Sequence, residues 1–352
     1  MKYFKPLLFI LLPILPAITH LPGNPQPCIL PADSLRMVLP LSIDYDGHIV
    51  TPFVNITVNG KLFKTVFDTG SSGLRMMNGA LPAAQGDTLS QRVSYSYGDA
   101  IQKLSLRGKV RKAEVAFDKL RTPLPISIMC IDSAKYNPGS DWIATGDSAV
   151  IRSNHFRNCS AIMGVGLRNR DRSAGVVSPL SQAPGNGKFI VMFPGYGGTK
   201  GSVIINPAPA DEAGFIYFKL APGKAVNTGY GNGWRDNELP GCITINNSSA
   251  CLPTLLDSGN PDIKVFSNEF TGRQAVPSRN YVTLRIGATN DTAFIQTSFF
   301  TGDEKLEGRD RVYLDAGPNE PKMIFGVRFF FEFDVLYDQQ NGIIGIRKKL
   351  HR

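Results

Sequence analysis

Apolar and polar residues alternate with a period of two through FVNITVNGKLFKTVF, residues 53–67, on both sides of Asn59-Gly60. That is the strand period, and Asn-Gly is the strongest short hairpin signal, so two antiparallel strands joined at this dipeptide are predicted. RVSYSYGDAIQKLSLRGKVRKAEVAF, residues 92–117, reads as a long twisted hairpin turning near Gly98-Asp99. AIMGVG, residues 161–166, reads as a short buried strand whose glycines let backbone approach backbone. CITINNSSAC, residues 242–251, reads as a hairpin with Asn246-Asn247 at its tip. The glycine-rich FPGYGGTKGSVIINP opens no helix, so it fails the context of a dinucleotide-binding loop. It is a turn into the strand Ser202–Ile205, and a boundary between two halves of the chain belongs there. Short apolar runs separated by Gly, Pro and Asn throughout predict an all-β protein.

Composition narrows the class. At 352 residues the chain is comfortable for two domains, and 42% hydrophobic residues with 35 glycines and 25 prolines describe a turn-rich globular protein. The basic excess of +9 is spread along the chain instead of forming a stripe interleaved with aromatics, which disfavours nucleic acid as a partner. Residues 1–20 have the form of a signal peptide, with Lys2 and Lys5 before the apolar run Leu7–Leu15 and a small residue at Ala17. A secreted or periplasmic protein follows as the expectation. The run is too short to span a bilayer, and no later stretch approaches that length, so no stable membrane insertion is expected.

Residues 21–43 are Pro-rich and read as a linker or short pro-segment. They are followed by an N-terminal lobe over 44–200 and a C-terminal lobe over 201–352. Five cysteines allow two bridges to be drawn in fifteen ways. The hairpin brackets Cys242 and Cys251, which makes that pair the first choice and Cys130–Cys159 the second, with Cys28 left over. No Cys/His cluster suggests a metal site, and no cofactor motif occurs. Sequons begin at Asn55, Asn158, Asn246, Asn247 and Asn290. They bear on glycosylation only in a eukaryotic secretory pathway.

Two stretches carry the chemistry. TVFDTGSSGLRM, residues 65–76, delivers Asp68 at the end of an apolar strand, where a carboxylate needs partners or a neutral form. CLPTLLDSGNPDIKVF, residues 251–266, repeats the design with Asp257 after Leu255-Leu256. Each is followed by an apolar-apolar-Gly strand, IMGVG and then KMIFGV, at separations of 96 residues (Asp68 to Gly164) and 69 (Asp257 to Gly326). Chance supplies an Asp-Ser/Thr-Gly on the order of 0.1 times in a chain this long. Two diverged copies of one unit explain the pair better.

At these residues the chain resembles the pepsin-like aspartic peptidases, over a range from about Ile43 to Ile346. The resemblance implies a bilobal double β-barrel with an active-site cleft between the lobes. VFDTGSS and LLDSG would be the active-site loops, SYSYGDA the flap, and FEFDVLYDQQNGIIGI the closing strands. It implies a monomeric endopeptidase acting on a peptide or protein substrate. Asp68 and Asp257 would share one proton and activate a water, so that identical groups serve as general base and general acid. Thr69, Gly70, Ser71, Ser258, Gly259 and Asn260 would support the pair, and Tyr97 with Gly98 would close over substrate.

Some positions depart from the family pattern. Asn260 stands where Thr or Ser is usual, and Arg75 stands where many relatives place a Trp against the flap tyrosine. A cation there is expected to lower the apparent pKa values of the pair. About two dozen residues separate the apolar leader from the first strand. That is too few for the basic pro-segment of animal zymogens and favours a bacterial origin. The alternative the residues leave open is a pepsin-fold binding or inhibitor-like protein with an impaired pair.

Overall fold

In the computed structural model the hairpin at Asn59-Gly60 forms as its pattern predicts. Ile49–Val58 and Lys61–Asp68 pair antiparallel, and both turn residues take positive φ, 48° and 80°. Asn and Gly tolerate that region where other side chains are strained. The structure describes residues 35–350 apart from 48, 82–87, 99–102, 137–139, 145–154, 169–174, 224–232, 288–292, 303–309 and 318–319. The apolar leader, Cys28 and the tip of the 92–117 hairpin lie outside the described residues. Among the described residues no helix is long and apolar enough to cross a membrane.

The fold is nearly all β, in a 16-stranded and an 8-stranded sheet, with a single six-residue α-helix, Val327–Glu332, among the described residues. One arrangement of strands occurs in both sheets. In the larger, Ala161–Val165 lies parallel to Lys61–Asp68 (Gly164 opposite Asp68) and antiparallel to Ser72–Met77. Ser72–Met77 in turn pairs parallel with Ile126–Tyr136. In the smaller, Lys322–Phe325 lies parallel to Ser248–Leu256 and antiparallel to Ile263–Ser267, which pairs parallel with Val312–Ala316. Each first strand is the second arm of a hairpin, turning at Asn59-Gly60 in one case and Asn246-Asn247 in the other. The sequence repeat is thus a repeat of topology, and it leaves Asp68 and Asp257 at equivalent strand ends.

One expectation changes. Among the described residues the pairing closes neither sheet into a barrel. Ile216–Lys219 and Thr88–Gly98 end one strand path, Arg273–Ala275 and Ile295–Phe300 the other, and no end strand pairs with its opposite. The larger sheet takes strands from both sides of residue 200. The hairpin Phe333–Asp338/Ile343–Lys348 joins the larger sheet, with Phe189 opposite Tyr337. All six residues of Phe333–Asp338 are buried, so the strand needs cover on both faces and an interior place in a sheet supplies it. One apolar cluster accordingly runs through both halves, from Leu39 and Phe67 to Val282, Phe325 and Ile346. Residues Ala32–Arg352 form one compact unit.

Cys242 and Cys251 stand directly opposite in their hairpin with Cα atoms 4.0 Å apart, and they form the first-choice disulfide. Closing so short a loop contributes about 2.5 kcal/mol by the chain-entropy argument. The second choice is corrected: Cys130 and Cys159 are both free and buried. Cys130 packs in the large cluster, while its neighbours Met129 and Ile131 face the cluster that holds Cys159. Strand alternation puts the two sulfurs on opposite faces of a sheet. Burial pushes both thiols up to about 11, so neither is a ready nucleophile near neutral pH.

Candidate active site

The two Asp loops meet through reciprocal hydrogen bonds. Thr69 N donates to Ser258 Oγ (3.0 Å), and Ser258 N donates to Thr69 Oγ1 (2.9 Å). The same hydroxyls donate onward, Thr69 Oγ1 to Leu256 O and Ser258 Oγ to Phe67 O, each at 3.0 Å. Both side chains are fully buried. Each donor and acceptor is therefore satisfied only while the loops stay together, since an unpartnered buried group costs about 1–3 kcal/mol. Sequence reasoning gave Thr69 and Ser258 only a supporting role beside the pair; their hydroxyls form the lock between the loops.

The lock brings the carboxyls together. Asp68 and Asp257 lie within hydrogen-bonding reach of each other. A Cβ on Gly70 would stand 2.2–2.4 Å from the Asp257 carboxyl atoms, and one on Gly259 would stand 2.7 Å from Asp68 Oδ1. Each glycine is required because the other loop's carboxyl occupies its side-chain space. Asp68 accepts from Gly70 N at 2.8 Å and from the Ser71 hydroxyl. Asp257 accepts from Gly259 N at 2.9 Å. Desolvation first, then the charge of Asp68, pushes the Asp257 carboxyl above the ordinary carboxylate range, while Arg168 and the Gly259 amide pull it back.

Asn260 does not take the supporting role proposed for it. Its Oδ1 accepts from Asp262 N at 3.1 Å, closing a local turn. Ser71 and Asn260 hold equivalent places, yet only the Ser71 side chain hydrogen-bonds its aspartate's carboxylate, while Asn260 reaches Asp257 through its backbone N alone, onto Asp257 O at 3.2 Å. Asp68 is therefore the better-supplied carboxylate of the pair.

Arg75 is fully buried, its guanidinium carbon 3.3 Å from the centroid of the Tyr95 ring. It donates to Gly73 O (3.1 Å) and to the Tyr97 hydroxyl (3.3 Å). Tyr97 packs edge-on to Tyr95, and its phenol lies beside Ser71. Desolvation raises that phenol above the tyrosine range, so it stays neutral and hydrogen-bonding. Arg75 thus props the hairpin tyrosines. The cation that reaches Asp257 is Arg168. Gly98 keeps a positive φ of 84° at the end of its strand, and residues 99–102 beyond it lie outside the described residues.

Sequence reasoning missed Arg168, Asp236 and Tyr337. Arg168 Nη2 donates to Gly70 O at 2.6 Å, and its Nε pairs with the buried Asp236. Tyr337, 1% exposed, stacks on Phe189 and carries its phenol beside Thr69. Four residues past a motif glycine, Arg168 was legible in principle. Asp236 sits in GNGWRDNELP, where nothing periodic marks it. Among the described residues no group of three or more His, Cys, Asp or Glu could hold a metal ion. A recess of about 670 Å³ lined by Asp44, Asp46, Thr51 and Arg157 lies away from the pair, on the strands Met37–Asp46 and Ile49–Val58.

No protein-family profile matches this chain, and no curated protein matches it either.

Proposed function

We propose that the protein is a pepsin-like aspartic endopeptidase, bilobal in the sense that each copy of the repeat supplies one catalytic carboxyl. The observation that carries this reading is the reciprocal Thr69–Ser258 lock with Asp68 and Asp257 in mutual contact above it. Two carboxyls so close share one proton, because ionising both brings like charges together. The donors to Asp68 and the desolvation of Asp257 favour the proton on Asp257. Asp68 would then take a proton from an attacking water while Asp257 gives its own to the scissile carbonyl oxygen. A neutral tetrahedral intermediate forms without an acyl-enzyme; its C–N bond then breaks as Asp68 passes its proton to the leaving amine and Asp257 takes one back from the intermediate's hydroxyl, restoring both carboxyls. Tyr97, held by Arg75, would cover the substrate and exclude water. A secretory route is proposed from the apolar leader alone.

Asp257 must be protonated to act as the acid, so activity is held below its pKa and lost as pH rises through it. A raised pKa moves that loss upward. Cleavage of a mixed peptide library by the purified protein is expected to persist to about pH 6, well above the ordinary carboxylate value of about 4. A statine-type inhibitor is expected to block it. A profile peaking below about pH 3 would contradict the raised Asp257.

Gly70→Ala is expected to push the Asp257 carboxyl away, lowering kcat about 10²-fold. The added methyl should cost about 1–3 kcal/mol of stability in denaturant unfolding. The turn of Asn260 away from Asp257 favours a second reading, a pepsin-fold binding protein with an impaired pair. A folded protein that cleaves nothing at any pH would establish that reading instead.

A further inference from the structure

Beyond the two aspartates, the site contains a further carboxylate, itself buried, with its own cation. Asp236 is 1% exposed and arrives from the other side of the chain's midpoint. It ties down the segment that follows the strand Ala161–Val165. Its Oδ2 accepts from Leu167 N at 2.6 Å, and its Oδ1 meets Arg168 Nε at 2.5 Å. The Arg168 side chain is itself 17% exposed, and its remaining arm donates to Gly70 O at 2.6 Å. Gly70 touches both members of the pair, because its amide donates to Asp68 and its missing Cβ is the space of the Asp257 carboxyl. The planar guanidinium suits this double duty, with one edge on a carboxylate and another on a carbonyl.

We infer that Arg168, oriented by Asp236, is a positioning residue that clamps Gly70 against the carboxylate pair and fixes a positive charge beside Asp257. The inference rests on the aspartic-peptidase reading for its functional meaning and on the geometry alone for the clamp. It also names an asymmetry between the two copies of the repeat. Gly164 and Gly326 are equivalent, and four residues beyond them stand Arg168 in one copy and the buried Phe330 in the other. The cation belongs to one side of the pair only.

Asp68, Arg168 and Tyr337 face Asp257, Asp236 faces Arg168, and Tyr97, with Arg75 behind it, faces Asp68. Removing one member of the Arg168–Asp236 pair therefore has a definite sign. Arg168→Gln deletes a positive charge and should raise the pH at which Asp257 loses its proton. Asp236→Asn deletes a negative charge, keeps the oxygens' shape, and should lower it. A clamp that served structure alone would not move the two variants in opposite directions.

The test is a titration of the full chain with 13C-labelled aspartate side chains, followed by NMR, beside the pH profile of kcat/KM on a peptide. Arg168→Gln is expected to move the Asp257 titration and the basic limb of the profile up by about one pH unit, and Asp236→Asn to move both down by a similar amount. Arg168→Lys keeps the charge without the fork. It should leave the titration near wild type while kcat falls about tenfold from the loosened Gly70. Shifts of the same sign, or none in either variant, would overturn the inference. Should Arg168→Gln fail to fold, Asp236→Asn and Arg168→Lys still decide it. If the NMR titrations shift as stated and the wild type cuts no peptide, the clamp stands and the peptidase reading falls.

Discussion

Asp257→Asn is expected to reduce kcat for peptide cleavage by at least about 10³-fold and to leave the fold intact. The substitution preserves the shape that fills the space beside Gly70. It removes the only proton that the pair can hand to a carbonyl oxygen. Asp68→Asn should cost as much, since the same proton transfer then lacks its base, and the double variant should be little worse than either single one. Stability gives an independent reading of sign. The Asp257 carboxyl is raised by desolvation, so ionising it costs the folded state more than the unfolded chain. That penalty is absent below the unfolded pKa, where both states are protonated, and grows as pH rises above it. Asp257→Asn should therefore match wild type in acid and exceed it in thermal stability near neutral pH. An enzyme whose dead variant is more stable than itself holds a carboxyl where function, not folding, requires one. Equal or lower stability of the variant at neutral pH would contradict the desolvated state of Asp257.

Much of this was legible because the signals are local. Strand alternation and Asn59-Gly60 fix one hairpin, and Asn246-Asn247 between Cys242 and Cys251 fixes another together with its disulfide. The repeated Asp-Ser/Thr-Gly predicted that two carboxyls belong together before any contact was known. Long-range contacts were not legible in this way. Nothing near residue 236 says that its carboxylate meets Arg168, 68 residues earlier, because an ion pair leaves no period in the sequence. Closed barrels followed from resemblance, whereas the actual pairing depends on where Phe333–Asp338 finds cover for two buried faces. The segment VRFFFE is a helix, and it takes in Phe331 and Glu332, the first two residues of the run FEFDVLYDQQNGIIGI expected as closing strands. Its aromatic residues fit strands by propensity, and burial of the whole turn among Phe193, Phe325 and Phe333 overrides that preference. Cys130 and Cys159 show the same limit: two cysteines suit a bridge on paper, and the faces of a sheet keep them apart.

The second large effect concerns the lock beneath the pair. Thr69→Val keeps the branched shape and deletes one hydroxyl. Ser258 N then loses its acceptor and Leu256 O its donor, both beside a fully buried side chain. Two unpartnered backbone groups at about 1–3 kcal/mol each should destabilise the protein by roughly 3 kcal/mol, read as a lower denaturant midpoint at unchanged m. The loops would gain freedom to separate, and a misplacement on the order of 1 Å between the carboxyls should lower kcat about 10²-fold. Thr69→Ser restores the hydroxyl and should recover most of both losses. That rescue separates a lost hydrogen bond from a lost methyl. A Thr69→Val protein within about 1 kcal/mol of wild type would mean that packing between the sheets, not this exchange of hydroxyls, holds Asp68 against Asp257. The two halves of the repeat would then be joined by the shared apolar cluster alone, and the carboxyl pair would owe its geometry to the core.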